Sequence, residues 1–261
     1  MRWRAFAAGG PAGADPLLAR AVRWEDERPG LRAGSFDVRA SGGLLVNRVA
    51  IVEIDPARYR FELAAAGHFA PRAADAWMAD SGVIAAVNTG LFRRGGSPEG
   101  LVVIDGVRHG RRAAWLDAAV AVEDGRLELL PPRATDSLGA GASAFQVLPW
   151  LVREGRVAFG ATSGLRLSRT HRDRRLTLCL GADGLVRLLL SNFEVFGEPA
   201  GTIPVGLTIP EQATIAAAAG CTAAVALDGG ISAQLVVRFP RRLRRMPGWR
   251  EVPLMMLVRA R

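Results

Sequence analysis

The sequence predicts an α+β protein built mainly from antiparallel strands, and three observations support that prediction. The chain of 261 residues is 49% hydrophobic, which is enough apolar material for a folded core. Its 30 glycines and 15 prolines show no repeating period and favour many tight turns over long helices. Acidic residues followed by glycine separate several apolar runs, as in β-hairpins. We therefore expect a single domain with a mixed, largely antiparallel sheet system and a few helices.

The beginning of the chain is the least regular part of the sequence. Residues 1–40 show weak periodicity and are predicted to be an N-terminal lead-in of uncertain order, which leaves 41–261 as the main domain. The apolar run Leu44–Ile54 and the alternating run Tyr59–Leu63 then flank a turn at Asp55-Pro56. This arrangement predicts a hairpin.

A helix and a buried strand are predicted next. Ala70–Asp80 carries apolar residues at helical spacing and ends at Ser81-Gly82, which suits a helix C-terminus. Val83–Val87 is a strand of small apolar residues that leads directly into Asn88. A polar loop therefore follows a buried strand.

Four acidic-Gly pairs predict tight hairpin turns. Glycine accepts a positive φ, and the acidic side chain can bond its own backbone. The pairs are Asp105-Gly106, Asp124-Gly125, Glu154-Gly155 and Asp183-Gly184. Together they indicate an antiparallel meander.

The strongest helix signal lies near the C-terminus. Thr208 and Glu211 form a capping box, and helix-forming residues continue to Ala219, so we expect a helix over 209–219. Thr222–Leu227 is then a second strand of small apolar residues. It ends in the polar turn Asp228-Gly229-Gly230-Ile231-Ser232, where two glycines let the backbone approach a ligand closely.

Charge and cysteine content limit the function classes. All 34 cationic side chains are arginine, and the formal net charge of +9 favours anionic partners. No helix-turn-helix, zinc-finger spacing or aromatic RNA-binding strand accompanies this charge, so we expect no nucleic-acid partner. The two cysteines, Cys179 and Cys221, are expected to be buried free thiols. A single disulfide between them is the alternative if the chain is exported. The sequence contains no run of about 18 apolar residues, so we expect no transmembrane segment.

Several motifs follow one another in an order that resembles the phosphodiester glycosidase family. The quoted motifs are Asn88-x-Gly90-x-Phe92, Pro98-x-Gly100-x5-Asp105-Gly106, Leu151-Val152-x2-Gly155, Arg169-Thr170, the capped helix, Ala226-Leu227-Asp228-Gly229-Gly230-x-Ser232 and Arg250-x-Val252-Pro253. The resemblance covers roughly residues 44–258. It implies hydrolysis of a glycosyl-1-phosphodiester, a phosphate-linked glycan or envelope polymer as substrate, and an exported or cell-envelope location. No clear signal peptide precedes the fold, because the N-terminal apolar stretch is too short.

The chain also departs from the family pattern. Thr89, Leu91 and Ile231 replace residues of the two glycine-containing loops, and Ser191-Asn192-Phe193-Glu194 stands where an Asp-Gly-Arg turn is common. These departures motivate an alternative function, a noncatalytic module that binds an envelope glycan or another anionic polymer.

The chemistry can be argued from the leaving group. A phosphate monoester has a second pKa of about 6 and can depart without a strong general acid. One carboxylate plus a cation could therefore suffice, whereas ordinary glycosidases use two carboxyl groups. Asp228 is predicted either to act as the general base or to stabilise the oxocarbenium-like transition state of the sugar. Arg169 would bind the phosphate through its planar fork, and Glu99 is the candidate acid.

The remaining site predictions concern binding. The expected substrate-binding residues are Asn88, Gly90, Thr170, Gly229, Gly230 and Ser232. We expect Asn88, Arg169 and Asp228 to surround one cleft. The sequence identifies no cofactor, and a calcium ion held by loop carboxylates is left as an alternative.

Each of these assignments has a plainer alternative. Arg169 could be one of a group of surface arginines, and Glu99 could be a solvated loop residue. Gln146 is either a sugar contact or an amide at a strand rim. The other members of the predicted surface arginine group are Arg166, Arg172, Arg174 and Arg175. The run Arg241-Arg242-x-Arg244-Arg245 is most simply a solvated loop, with binding of anionic polymer or lipid headgroups as the alternative.

Overall fold

The computed structural model describes residues 14–39, 46–158, 167–193 and 206–261. The chain divides into two compact units. Unit 1 comprises Met1–Asp55 and Trp150–Ile231, and unit 2 comprises Pro56–Pro149 and Ser232–Arg261. Predictions for residues 1–13, for the first residues of the run that begins at Leu44, and for Arg166 and Glu194 lie outside the described residues.

Strands dominate both units. The helices are α1 (Pro16–Ala21), α2 (Ala74–Trp77) and α3 (Ile209–Ala218), and the strands are β1 (Arg23–Arg28), β2 (Leu31–Arg39), β3 (Val46–Ile54), β4 (Tyr59–Ala65), β5 (Val83–Asn88), β6 (Val102–Ile104), β7 (Val107–His109), β8 (Ala118–Glu123), β9 (Arg126–Leu130), β10 (Ser143–Val147), β11 (Trp150–Arg153), β12 (Arg156–Val157), β13 (Leu176–Gly181), β14 (Val186–Phe193), β15 (Cys221–Leu227), β16 (Leu235–Arg238), β17 (Leu243–Met246) and β18 (Leu254–Ala260). Every pairing between these described strands is antiparallel, which confirms the predicted α+β class.

Unit 1 contains one eight-stranded sheet. Its strand order is β1-β2-β3-β14-β13-β15-β11-β12. Helix α3 packs against β11, β13 and β15, and its alanines are buried in the core of this unit. Small residues on both α3 and β15 let the helix and the sheet approach closely. The central strands therefore reach the core through short side chains.

Unit 2 contains two five-stranded sheets. Their strand orders are β7-β6-β10-β8-β9 and β17-β16-β5-β18-β4. Strand β5, every residue of which is buried, lies in the middle of the second sheet between β16 and β18. Its small side chains suit this central position, because a central strand packs on both faces.

The local turn predictions are confirmed. Asp105-Gly106 joins β6 to β7, Asp124-Gly125 joins β8 to β9, and Glu154-Gly155 joins β11 to β12. All six of these residues have positive φ, as the paired turns require. At the fourth turn Gly184 has a φ of 79°, and the Asp183 carboxylate accepts a hydrogen bond from the Leu185 amide at 3.2 Å.

The predicted helix at residues 209–219 and its capping box are confirmed. Helix α3 begins at Ile209, and the Thr208 amide donates to the Glu211 carboxylate at 2.9 Å while the Glu211 amide donates to the Thr208 hydroxyl. The capping box is local chemistry, so the sequence shows it directly.

The predicted hairpin between the runs at 44–54 and 59–63 is wrong. Strand β3 pairs with β2 and β14, whereas β4 pairs with β18. Both edges of β3 are thus occupied by other strands. The Asp55-Pro56 signal shows that the chain turns, and it says nothing about which strands pair.

The predicted helix over Ala70–Asp80 is shorter than expected. Only Ala74–Trp77 is α-helical, and the N-cap residue Ala73 supplies no side-chain hydrogen bond. Asp80 accepts a hydrogen bond from the Gly82 amide at 2.8 Å. This aspartate side chain offers the backbone an alternative to further helix.

Two further expectations change. The favoured pair of buried thiols is wrong, because Cys179 and Cys221 form a disulfide between β13 and β15 with a Cα–Cα distance of 5.5 Å. The pairing of these strands is long-range and could not be deduced from the sequence. Within the predicted lead-in, residues 16–39 contribute α1 and two strands of the unit 1 sheet.

Candidate functional site

The turn after β15 in unit 1 is built around two glycines. The Gly230 amide donates to the Arg174 carbonyl at 2.9 Å, and a Cβ at Gly229 would lie 2.6 Å from that same oxygen. Gly230 has a φ of 58°, which a side chain would strain. Gly229 is therefore required by close backbone approach and Gly230 by its positive φ. They place the half-buried Asp228 directly after the buried strand.

A second carboxylate lies beside this turn. A Cβ at Gly230 would lie 3.0 Å from Oδ2 of Asp173. The Asp173 Oδ1 atom accepts a hydrogen bond from the Arg174 amide at 2.8 Å, and His171 Nε2 lies 3.7 Å from Oδ2. The sequence gives no signal for Asp173, because this residue stands within a run of arginines. Only the sheet register brings Asp173 to the turn.

Two arginines of that run are not surface residues. Arg174 is only 1% exposed, and burial lowers the pKa of its guanidinium to about 10, an effect that the nearby Asp173 charge opposes. Burial also lowers the pKa of Arg175, whose guanidinium donates to the carbonyls of Leu207 and His171 at 2.9 and 2.8 Å. The alternative of a surface arginine group therefore does not extend to Arg174, which is buried.

Arg172 joins the same segment to helix α3. Its guanidinium donates to both carboxylate oxygens of the buried Glu211, at 2.8 and 3.0 Å. Paired hydrogen bonds between guanidinium and carboxylate are among the strong ones in proteins. Because Glu211 also belongs to the capping box, this pair fixes the segment before β13 relative to the start of α3.

Arg169 and Thr170 lie on an exposed turn of unit 1. The Ser168 hydroxyl accepts hydrogen bonds from the amides of Thr170 and His171, at 3.3 and 3.1 Å. The turn is therefore held by a local serine, while the guanidinium of Arg169 projects from an exposed residue. His171 is also exposed.

The polar loop after β5 in unit 2 is held by buried hydrogen bonds. Asn88 is 1% exposed, and its Oδ1 atom accepts from the Gln234 amide at 2.9 Å. The Thr89 hydroxyl donates to the Leu254 carbonyl at 3.2 Å. At Gly90 a Cβ would lie 2.8 Å from the Gln146 carbonyl, so this glycine permits close contact with β10.

Gln146, for which the sequence left a sugar contact and a strand-rim amide open, makes its side-chain hydrogen bonds within the protein. Its Oε1 atom accepts from the amides of Leu101 and Ala113, both at 2.9 Å, and its Nε2 donates to the Ala113 carbonyl. The side chain is buried. It joins the residue before β6 to the segment between β7 and β8, and these contacts leave it little capacity for a ligand.

Glu99 and Ser232 complete the predicted residues of unit 2. The Glu99 carboxylate is partly exposed, with Oε2 3.4 Å from the Nε atom of Arg93. Ser232 is buried, and its carbonyl accepts from the Gln234 side chain at 3.2 Å. Gln234 thereby connects Ser232 and Asn88 through its side chain and its backbone amide.

The structure describes the predicted site residues in two groups. Asp228, Gly229, Gly230, Arg169 and Thr170 belong to unit 1, and the others belong to unit 2. The expectation that Asn88, Arg169 and Asp228 surround one cleft stays a prediction.

The described residues show neither a cluster of metal ligands nor a membrane-spanning helix. Within the four described ranges, no three His, Cys, Asp or Glu side chains come together as metal ligands. None of the described helices is long and apolar enough to cross a membrane.

A family comparison agrees with the order of motifs. The profile of the phosphodiester glycosidase (NAGPA) family matches residues 81–259, which is more than half of the chain. The chain belongs to this family. The match includes β5, the arginine segment, α3 and the β15 turn. No curated protein matches the chain significantly.

Solved structures share the fold of this family member at low sequence identity. The catalytic domain of zebrafish N-acetylglucosamine-1-phosphodiester alpha-N-acetylglucosaminidase, auto-inhibited by its pro-peptide, has a TM-score of 0.69 and 15% identity, with coverage of 98% of this chain and 96% of that one. A hypothetical protein from Synechocystis has a TM-score of 0.63 and 16% identity, covering 92% of this chain and 64% of that one. A Burkholderia pseudomallei K96243 protein described as exported has a TM-score of 0.55 and 16% identity, covering 83% and 74%.

Proposed function

We propose that this protein hydrolyses a glycosyl-1-phosphodiester, releasing a sugar and a phosphomonoester. The observation that carries the proposal is the turn after β15, in which two sterically required glycines place Asp228 at the end of a buried strand in a phosphodiester glycosidase family member. A rigid strand end is a good support for a catalytic side chain, because it holds the group in one orientation.

Asp228 is the proposed general base. It takes a proton from water as the water oxygen bonds to the anomeric carbon of the sugar. The bond between that carbon and the phosphate oxygen breaks, and the phosphomonoester leaves with the electron pair. The carboxylate also stabilises positive charge on the sugar ring during this step. Glu99 is the proposed acid for any proton that the leaving oxygen requires, a modest demand because a phosphate monoester leaves readily.

The proposed phosphate ligand is Arg169. Arg169 is exposed, and a planar guanidinium is the side-chain group that can bind two phosphate oxygens as a pair. Arg175 is the second candidate, because Leu176 pairs with Leu227, so Arg175 and Asp228 are the next residues at that end of the β13–β15 pair. The Arg175 guanidinium donates to the carbonyls of Leu207 and His171, whereas Arg169 is the more exposed of the two residues.

The proposed substrate contacts lie in the loops that follow β5 and β15 and in the turn before β13. The residues are Asn88, Gly90, Thr170, Gly229, Gly230 and Ser232. Since Asn88 and Ser232 are buried, their part in the proposal is to shape the loop that meets the sugar. A phosphate-linked glycan or envelope polymer is the proposed natural substrate. The Cys179–Cys221 disulfide supports an exported or cell-envelope location, because such bonds persist in oxidising compartments.

A noncatalytic glycan-binding module is the second candidate function. The observation in its favour is the set of departures at Thr89, Leu91 and Ile231, two of which flank Gly90 in the first loop. Such a module would bind the same ligand without turnover.

Hydrolysis of a panel of α- and β-linked sugar-1-phosphodiesters tests the proposal. We expect release of reducing sugar, and we expect oxygen from ¹⁸O-labelled water to appear in the sugar and not in the phosphate. Label in the phosphate would show a phosphodiesterase instead. Binding of the same compounds without any release would establish the noncatalytic module.

A further inference from the structure

Trp249 is the most exposed of the large hydrophobic side chains in the described parts of the chain. It is 63% exposed, compared with 39% for Trp115 and 36% for Trp24. It lies in unit 2 after β17, followed immediately by Arg250. An indole that stays in solvent has a large apolar face available for a ligand.

The guanidinium of Arg250 lies over an aromatic ring. Its guanidinium carbon lies 4.6 Å from the centroid of Phe92. Within the described residues this guanidinium makes no ion pair or side-chain hydrogen bond. A cation–π contact does not use the N–H donors of the guanidinium, and a guanidinium fork can bind two phosphate oxygens as a pair.

The segment Trp249-Arg250 is connected by hydrogen bonds to the polar loop after β5 that contains Asn88, here called the Asn88 loop. The Gln234 side chain donates to the Arg250 carbonyl at 2.8 Å, and the Gln234 amide donates to Asn88 Oδ1 at 2.9 Å. Phe92 itself ends the Asn88-x-Gly90-x-Phe92 motif. One glutamine and one aromatic ring therefore hold Arg250 beside a loop proposed to meet substrate, and Trp249 is its neighbour in the chain.

We propose that Trp249 and Arg250, with Phe92 as support, form an additional subsite for a phosphate-linked glycan. The indole stacks on the apolar face of a sugar ring, and the guanidinium binds the phosphodiester next to that sugar. A sugar followed by a phosphate matches an aromatic residue followed by an arginine in both polarity and charge. This subsite rests on the proposed function, since it deepens the assignment of the Asn88 loop to substrate binding.

The subsite implies a preference for substrates with more than one phosphate-linked sugar. A single sugar-1-phosphodiester would occupy the reacting position alone, whereas an oligomer would also contact Trp249 and Arg250. Contacts made together at linked positions add to the affinity of the oligomer. We therefore expect a lower KM for an oligomer of three phosphate-linked sugars than for the single unit.

Calorimetric binding to the Asp228→Asn protein tests the subsite without turnover. The probes are a phosphate-linked sugar trimer, the same trimer joined by neutral linkages, and vesicles of anionic phospholipid. We expect Trp249→Ala to weaken both trimers about tenfold, a typical loss for an aromatic residue central to binding. Arg250→Gln should weaken only the phosphate-linked trimer, and Trp249→Phe should retain most of the affinity.

Matched controls separate a local effect from a general one. Trp115→Ala removes another exposed tryptophan of unit 2, and Arg126→Gln removes an exposed arginine of β9. Both should leave trimer binding unchanged, and Tm measurements should show that all variants fold. Unchanged trimer affinity in both Trp249→Ala and Arg250→Gln overturns the subsite. Loss of vesicle binding alone in these variants also overturns it, in favour of a membrane surface.

Failure of the proposed function gives a different pattern. If the otherwise unmodified protein releases no reducing sugar from any substrate, hydrolysis is refuted, while trimer binding that depends on Trp249 would still establish the subsite. If hydrolysis occurs with equal KM for the single unit and the trimer in the unmodified and Trp249→Ala proteins, hydrolysis stands and the subsite is refuted.

Discussion

Two carboxylates flank the glycine turn after β15, and their surroundings differ. Asp228 is half-buried at the strand end, whereas Asp173 accepts a backbone hydrogen bond. The Asp173 charge also opposes the lowering of the pKa of Arg174 and Arg175 by burial. A charge that compensates a buried guanidinium stabilises the fold. The proposal therefore gives the chemical role to Asp228 and a supporting role to Asp173.

Asp228→Asn should reduce turnover about 10²–10⁴-fold, the usual loss on removing a general base. The amide keeps the side-chain volume, so the turn at Gly229 and Gly230 should survive and Tm should change little. Asp173→Asn should instead lower Tm, because it removes the charge that opposes the effect of burial on the pKa of Arg174. Turnover and Tm measured on the same samples check both variants. Full activity in the Asp228→Asn protein would move the base to another carboxylate.

Arg169→Lys should lower kcat/KM for a phosphodiester about ten- to a hundredfold, because lysine keeps the charge and loses the planar fork. Stability should stay the same, since the residue is exposed. Arg175→Lys should mainly lower Tm, because two carbonyls lose their donors. The reverse result, with an active Arg169→Lys protein and a folded, inactive Arg175→Lys protein, would assign the phosphate to Arg175.

At the scale of single elements, the hairpins are stabilised by their turn residues. The β13–β14 hairpin adds an ion pair between Arg187, which is buried, and Asp183 in the turn. Hydrogen bonding to the Arg187 side chain holds the pKa of Asp183 below its usual value. The other partner of Arg187 is Glu53 of β3, whose Oε1 accepts from its Nε at 2.8 Å. This network connects three neighbouring strands of the unit 1 sheet.

The Asp183 carboxylate makes the stability of this hairpin depend on pH. Its pKa is lower in the folded protein than the value of about 3.9 expected when unfolded. The stabilisation is therefore fully present above that unfolded value and is lost as the pH falls through the folded pKa. Asp183→Asn should lower the free energy of unfolding more at pH 7 than at pH 2. Urea unfolding at both pH values measures the difference. Because the Asp183 side chain is half exposed, we expect a modest effect of about 1 kcal/mol or less.

At the scale of the whole molecule, the disulfide is the covalent connection within unit 1. It joins residues 42 positions apart and ties β13 to β15, the strand that leads into the candidate catalytic turn. The bond closes a loop that contains the segment before α3 as well as the helix itself. Unit 2 contains no disulfide, because both cysteines of the chain lie in unit 1.

Replacing both cysteines by serine should lower the free energy of unfolding of unit 1. Closing a loop of this length reduces the entropy of the unfolded chain by an amount worth about 4 kcal/mol. Thermal unfolding of the double variant, and of the unmodified protein with and without reductant, checks this expectation. The Thr222→Ser protein is a control that keeps the bond. Equal Tm values with and without reductant would show that the bond contributes nothing.

Local chemistry explains which features the sequence predicted well. The Asp-Gly and Glu-Gly turns and the box of Thr208 and Glu211 depend on residues within three positions of one another. The buried strands that end at Asn88 and Asp228 were also predicted, since runs of small apolar residues that meet a polar, glycine-containing segment show the strand end directly. The family followed from the order of these local motifs.

Long-range pairing decided the rest. The β3 and β4 runs looked like a hairpin but pair with strands distant in the sequence. The sequence by itself therefore determined the family, the turns, the helix cap and the strand ends, because neighbouring residues specify them. Only the tertiary structure decided that Asp173 and the buried Arg174 lie at the turn with Gly229 and Gly230, and that Cys179 meets Cys221. The physical reason is that strand order and register depend on burial summed over the whole sheet, which no local pattern contains.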